Sequence, residues 1–357
     1  MSSANASERA VDARRLERYV AEIFQRAGVP QDEAERVADA LVSADARGMT
    51  SHGVMRVPMY MKKVRAGGFK VGTKGKIIRE TAATVLLDGE DGLGQVITWR
   101  AMEEATRKAR DAGAGIVGVL RSNHFGEGAY YALQAVKQDM IGLLTTNGSS
   151  NTPAHGGRTM VAGNLPLTVG VPTDKELPIL LDMAMCASSK GKIAYAAKKG
   201  ERIPPGWAVD SNGQPTDDPQ KVLDGGWILP IGGYKGFGLI LILDILSGVL
   251  TGARLGLEIT DLFTGEPSSP QGLGHFVMAI NVEAFMPVAE FKRRMDARIR
   301  SIKQSELLPG VTEILMPGER ELKLERERRK NGIPLSVNVL DQIAVVAKEL
   351  GVAAKLP

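Results

Sequence analysis

Four histidines occur in this chain, and one of them stands where a proton could be handed to a substrate. In Arg47-Gly48-Met49-Thr50-Ser51-His52-Gly53-Val54-Met55-Arg56 a hydroxyl directly precedes His52, glycines lie on both sides, and Arg56 follows four residues later. An imidazole titrates near neutral pH and can both give and take a proton. A guanidinium one helical turn on can grip a carboxylate through two parallel bonds. The pattern is that of a helix N-terminus carrying acid–base chemistry on a small anion.

Two further segments bear on this chemistry. Arg121-Ser122-Asn123-His124-Phe125-Gly126 follows a predicted strand and precedes a helix beginning near Gly128. Strand-to-helix loops are where α/β sheets bind ligands, and the helix start favours anions; the plainer role of Asn123 and His124 is to cap that helix. Asp182 closes the apolar run Pro178-Ile179-Leu180-Leu181, and a carboxylate there needs a partner. It either caps a helix near Ser188 or holds His52. In the second case Ser51, His52 and Asp182 form a relay, and a Ser51-dependent hydrolase becomes an alternative, although no G-x-S-x-G elbow surrounds Ser51. His155 and His275 read as structural. No two histidines have metal-ligand spacing, so no metal site is expected. Lys235, between glycines in Gly232-Gly233-Tyr234-Lys235-Gly236, either meets a phosphate or begins a solvated helix.

Familiar nucleotide signatures are missing. Gly113, Gly115 and Gly118 satisfy G-x-G-x-x-G, but they follow a helix and enter a strand, the reverse of the required order. The glycines around Lys235 lack P-loop spacing. A nucleotide bound here sits on another fold.

The elements that must position these residues follow from periodicity. Ser7 is expected to cap a helix running to about Ala27, a second helix opens at Pro30-Gln31-Asp32 and ends near Gly48, and a third runs from about His52 to Gly67-Gly68. Strands are expected at Thr84–Asp88, Ile116–Leu120, Ile141–Thr145, Leu167–Val171, Pro178–Asp182 and Phe276–Val282. Helices are expected at Thr98–Ala112, Gly128–Gln138, Lys190–Lys199, Leu239–Val249, Val288–Gln304 and Val339–Leu350. The apolar Leu239–Leu246 run reads as core. A short strand, Ile314–Met316, precedes a charged helix. Asn147–Asn164 reads as a long binding loop. Strands alternating with helices argue for an α/β sheet, with a helical unit in front of it.

Composition narrows the class. The chain has 357 residues, 43% hydrophobic and 24% charged, enough for two or three domains with ample cores. A net charge of +4, without a basic stripe interleaved with aromatics, argues against nucleic acid and suits a small anionic ligand. The single cysteine, Cys186, allows no intrachain disulfide and suits a reducing cytoplasm. The polar N-terminus does not read as a signal peptide, and no apolar run is long enough to span a membrane.

Taken in order, several segments resemble the malate/L-lactate dehydrogenase family that lacks a Rossmann fold. They are Ala44-Asp45-Ala46-Arg47-Gly48 with Ser51-His52-Gly53 and Arg56, Ser122 to Gly126, Gly163-Asn164-Leu165-Pro166-Leu167, Leu181-Asp182-Met183-Ala184, Gly232 to Gly236, and Met316-Pro317-Gly318-Glu319. The resemblance implies an NAD- or NADP-dependent oxidoreductase, usually a homodimer, acting on a small 2-hydroxy or 2-oxo acid; reduction of a cyclic imine such as piperideine- or pyrroline-2-carboxylate is the alternative within the family. It implies a mixed-sheet, non-Rossmann α/β dinucleotide-binding domain over residues 77–319 and a smaller helical domain over 1–76, joined by C-terminal helices in 320–357. Carried over, His52 is the proton donor and acceptor with Ser51 and Asp182 in its relay, and Arg56 holds the substrate carboxylate, with Tyr130 a further substrate contact. His124, Phe125 and Gly126 lie against the cofactor, and His124 is the acid/base in some members. Thr146, Asn147, Leu180, Leu181, Lys235, Gly318 and Glu319 fall in or near dinucleotide-contacting segments. Glu319 near the adenosine ribose would favour NAD, and Arg320 or Arg293 would favour NADP. The chain departs from the family at Pro153-Ala154-His155-Gly156-Gly157, where relatives carry an apolar-Pro-Trp-Gly-Gly stretch, and at Gly163 to Pro166, where they carry Gly-Thr-Asn-Pro. Both departures lie in the binding loop and bear on the substrate rather than on the reaction type.

Overall fold

The computed structural model describes residues 8–353; the Ser7 cap lies outside them. Where a helix was expected from the start, the chain first forms a strand, β1 (Glu8–Val11), and Asp12 then caps α1 (Ala13–Arg26) by accepting the Arg15 amide at 2.9 Å. Helix α2 (Gln31–Ala46) begins after Pro30, as predicted. Two single 3-10 turns, Thr50–His52 and Val54–Arg56, lead into α3 (Val57–Ala66), which ends at Gly67 in the left-handed conformation.

The sheet region follows. It contains β2 (Lys76–Glu80), β3 (Thr84–Asp88), α4 (Gly94–Ala112), β4 (Ala114–Ser122), α5 (Ala129–Val136) and β5 (Met140–Thr146). Next come the short β6 (Thr152–Pro153) and β7 (Met160–Ala162), paired across the expected loop, then β8 (Pro166–Val171), β9 (Ile179–Ala184) and α6 (Lys190–Lys199). A small antiparallel sheet, β10 (Ala208–Val209), β11 (Pro215–Thr216) and β12 (Trp227–Ile228), encloses α7 (Pro219–Leu223) in sequence. Then follow α8 (Tyr234–Asp244), continued by a π-helical turn over Ile245–Val249, β13 (Leu273–Asn281) and α9 (Val288–Lys303). The chain closes with α10 (Glu319–Asn331), β14 (Ile333–Ser336) and α11 (Val337–Glu349). The expected strand at Ile314–Met316 is irregular chain instead.

The main sheet has seven strands among the described residues, in the order β2-β3-β4-β13-β5-β8-β9. Only β3 and β4 pair in parallel; β13 inserts antiparallel between β4 and β5. This mixed sheet is not a Rossmann sheet, in which neighbouring strands are parallel. Register pairs Leu273 with Ser122 and His275 with Thr146, so the ends of β4 and β5 and the start of β13 share one edge. The His124 loop, Asn147 and His275 all lie along it.

One buried cluster joins α1, α2 and α3 to the C-terminal chain: Leu16, Phe24, Leu41 and Tyr60 pack with Ile333 and Ile343. A second fills the space between the sheet and α4 and α5, with Val117, Leu144, Ala101 and Tyr131. A third surrounds Ile193, Met185 and Ile240. Each fully buried aliphatic side chain contributes about 1.5–3 kcal/mol. The Leu239–Leu246 run departs from expectation. Helix α8 buries Gly236, Ile240 and Leu243, while Leu239, Leu241, Ile242 and Ile245 are exposed.

Candidate active site

His52 ends the first 3-10 turn, and its Nδ1 lies 2.9 Å from Ser51 Oγ. Its ring stacks on that of His124, with centroids 5.5 Å apart and planes 19° apart. Two distant loops thus present two half-buried imidazoles side by side. His124 Nδ1 is 2.6 Å from the Tyr60 hydroxyl, which also accepts a 3.0 Å bond from Gln95 Nε2. With Gln95 donating to its oxygen, the phenol is free to donate to Nδ1, an arrangement that puts the ring proton of His124 on Nε2. Burial first, and the Arg56 charge second, push His52 down to about 4. Burial first, then the charges of His52 and Arg56, push His124 well below the ordinary range. Both rings are therefore neutral at pH 7. Arg56 donates from Nε to Ser51 O at 2.7 Å, and its guanidinium lies 4.7 Å from the centre of the Phe263 ring.

The loop carrying His52 has a buried frame. Asp45 Oδ2 accepts the Val54 amide at 2.7 Å, and any Cβ at Gly53 would overlap the Asp45 carboxylate. The motif around Asp45 and Arg47 therefore builds the loop rather than touching the reacting groups. Asn123 ties the other loop down, donating to Asp91 O and Gly92 O and accepting the Gln271 amide at 2.9 Å. His275 is fully buried between Thr146 Oγ1 at 2.8 Å and Ser122 Oγ at 2.7 Å, and is structural, as expected.

Several expected placements differ. Asp182 does not hold His52 within the chain: Oδ2 accepts the Ala129 amide and Oδ1 the Thr168 hydroxyl, both at 2.8 Å. It caps the start of α5, neither the helix near Ser188 nor the histidine. The Ser51–His52 pair thus has no carboxylate third member from Asp182, and the hydrolase triad is not formed in this chain. The Tyr130 hydroxyl donates to Asp39 at 2.6 Å and accepts from Arg36 at 2.9 Å, and so is engaged on α2. Glu319 is almost fully buried and engaged by Lys303, Lys323 and the Met316 amide, which override burial and hold it down to about 2. It locks its own turn.

The predicted cofactor residues fall into separate groups. Phe125 and Gly126 stay with His124, and Phe125 packs on His275 at 5.0 Å. Thr146 and Asn147 close the end of β5; Asn147 exchanges bonds with Gly274 and Arg254. Leu180 donates to Pro317 O at 2.9 Å, and a Cβ at Gly318 would strike Leu180. Leu180 and Leu181 pair with Gly170 and Val169, so they stand toward the end of the sheet opposite the His124 loop. Lys235 is exposed in the first turn of α8, where Gly232 and Gly233 have φ of 59° and 64° and no side chain caps the helix. A cleft of about 520 Å³ beside it is lined by His155, Gly156, Trp207, Trp227 and the two glycines. Tyr60, Gln95, Gln271 and Phe263 were missed. Tyr60 sits one helical turn beyond Arg56, a spacing that could have flagged it, but an aromatic at helical spacing reads first as core.

No group of three or more His, Cys, Asp or Glu among the described residues could hold a metal ion, and no described helix is long and apolar enough to cross a membrane.

Two imidazoles thus lie side by side near an arginine, at the edge of a mixed sheet. Residues 11–344 match the malate/L-lactate dehydrogenase family model. The chain is 41% identical to malate dehydrogenase of Pyrococcus abyssi over 94% of its length and 93% of that protein. Its fold matches the sulfolactate dehydrogenase of Methanocaldococcus jannaschii with a TM-score of 0.91 at 37% identity, covering 96% of this chain and 98% of that one. It also matches the delta1-piperideine-2-carboxylate reductase of Pseudomonas syringae with a TM-score of 0.84 at 27% identity, covering 95% and 100%. The chain belongs to the malate/L-lactate dehydrogenase family and is an oxidoreductase; its dehydrogenase relatives imply a nicotinamide cofactor.

Proposed function

We propose that this protein oxidises a small 2-hydroxy acid to the 2-oxo acid, and the reverse, with NAD or NADP. The neutral His52–His124 pair beside Arg56 is the observation that carries this reading. When bound, the nicotinamide accepts or returns the hydride at the substrate carbon. Residues of the chain do the rest. Arg56 holds the carboxylate. His52 takes the hydroxyl proton as a neutral base and returns it to the developing oxyanion in reduction, with Ser51 fixing its ring through Nδ1. His124, its Nδ1 held by Tyr60, offers Nε2–H to the same oxygen.

The chain's residues fit an anionic dinucleotide. The uncapped first turn of α8, its flanking glycines and Lys235 together offer backbone N–H groups and a cation to phosphate. With Glu319 internally paired, the choice between NAD and NADP does not rest on that carboxylate. The apolar side chains exposed on α8 support a homodimer, and the single cysteine is in keeping with a cytoplasmic setting.

The test is absorbance at the reduced-nicotinamide band with NAD and NADP against malate, lactate and sulfolactate, and in reverse against 2-oxo acids and cyclic imine carboxylates. Hydroxy-acid turnover supports the proposal; reduction of cyclic imines alone moves the enzyme to the reductase branch. His52→Ala should lower kcat by roughly 10²–10⁴-fold while cofactor still binds. Full activity in that variant would transfer the proton role to His124.

A further inference from the structure

Five residues before His52, Arg47 is one of the largest fully buried side chains in the molecule. Three residues after His124, Glu127 meets it. Arg47 Nε lies 3.0 and 3.1 Å from the two Glu127 carboxylate oxygens, and Nη2 lies 2.6 Å from one of them. Nη1 donates to Ser43 Oγ at 2.9 Å, and Glu325 of α10 flanks it at 3.6 Å. The Arg47 and Glu127 side chains are 1% and 4% exposed. The carboxylate outweighs burial and keeps Arg47 a cation.

Buried ion pairs are poor stabilisers, because desolvation cancels most of the attraction and apolar replacements are often as stable. What a forked pair supplies is direction, since several bonds in one plane fix both translation and rotation where an apolar contact can slide. This pair joins the two histidine segments. Between Arg47 and His52 the chain is pinned by Met49 N to Ala44 O at 2.8 Å and His52 N to Met49 O at 2.8 Å. Between His124 and Glu127, Tyr131 holds Phe125 O at 2.6 Å. Each arm contains one left-handed glycine, Gly48 at φ 83° and Gly126 at φ 87°, where the chain could pivot if the pair were lost. A Cβ built at Gly126 would lie 3.9 Å from His52 O, so the two arms run close together.

We propose that Arg47 and Glu127 are positioning residues, whose forked pair locks the His52 segment to the His124 segment and sets the spacing and tilt of the two imidazoles. This rests on the reading of that imidazole pair as the reacting site. Arg47→Lys keeps the charge but loses the fork, and Glu127→Gln keeps the shape but loses the charge. Val42→Ala, a cavity in the core face of α2, is the control for lost stability alone.

Each variant is compared with the wild type below its melting temperature. The pair variants should lose about 100-fold in kcat, the scale of a misplaced catalytic group, with a smaller change in KM, while Val42→Ala keeps its kcat. Histidine-labelled protein, with four imidazoles to assign, gives a readout that needs no activity. The cross-relaxation between the His52 and His124 rings should weaken in both pair variants and persist in Val42→Ala. Pair variants that lose thermal stability as Val42→Ala does, yet keep kcat and the ring contact, would overturn the proposal. If the wild type turns over no nicotinamide cofactor but the ring contact still depends on the pair, the reaction assignment fails and the positioning role stands.

Discussion

A histidine pushed down to about 4 looks ill suited to donating protons, yet in the oxidation direction the neutral ring is the working form. Free enzyme governs kcat/KM, so in brief assays that profile should stay level below neutrality and fall only as pH drops through about 4. With the acid bound, its carboxylate offsets the Arg56 charge, and the acid limb of kcat should lie at higher pH. Arg56→Met removes the cation, so its kcat/KM limb should move upward in pH while KM rises. A wild-type kcat/KM limb near the ordinary histidine value would count against His52 as the base. Asp45 makes a second, opposite prediction. Burial pushes it from 3.8 up to about 7, with Val54 and Arg328 offsetting only part. Between those values the folded protein holds the proton and the unfolded chain has lost it. The stability Asp45 contributes is therefore full below about 4 and lost as pH rises through about 7. Asp45→Asn cannot ionise and keeps an acceptor for Val54, so its Tm relative to wild type should climb across that window, each pKa unit counting about 1.4 kcal/mol. A constant Tm difference across the window would show that Asp45 ionises as readily folded as unfolded.

Among the elements, Asp182 has both carboxylate oxygens engaged away from His52 within the chain. It caps α5 through Ala129 and bonds Thr168 of the neighbouring strand. Asp182→Ala should cost stability on the scale of a lost cap, about 0.5–2 kcal/mol, and leave the acid limb of kcat/KM where it was. A shifted limb would return Asp182 to the relay. The sequence made α2, α3 and α4 readable because their apolar spacing and glycine stops agree with what the tertiary structure buries. It could not show β1 and β14, which pair across the length of the chain and carry no strong alternation of their own. Nor could it show β13 inserting between β4 and β5, since strand order is set by long-range pairing and not by local pattern. The site was legible where chemistry is local, as in Ser51, His52 and Arg56, and in His124 at a strand end. Tyr60 and Gln95 stayed hidden because their hydrogen bonds to the His124 side exist only after folding.

At the scale of the whole molecule, the largest unmet requirement is an apolar surface. Leu239, Leu241, Ile242 and Ile245 on α8 and its π-helical turn continue into Val249 and Leu250, which are 56% and 63% exposed. Beyond them lie Leu257 and Phe263, 87% and 64% exposed, and Phe263 carries the Arg56 guanidinium on its ring. Apolar side chains exposed in this number favour burial against another surface, and a second copy of the chain supplies one of the same character. Phe263, the ring under Arg56, is among them, so covering it would also dry the rim of the proposed substrate clamp and strengthen its grip on a carboxylate. Ile242→Glu combined with Leu250→Glu places charges among these side chains without altering the histidine pair. Sedimentation equilibrium should show the wild type as a dimer and the double variant as a monomer, with KM for the acid raised in the monomer. A double variant that remains dimeric would place the interface elsewhere, and a monomer with unchanged KM would show that one chain closes the clamp alone.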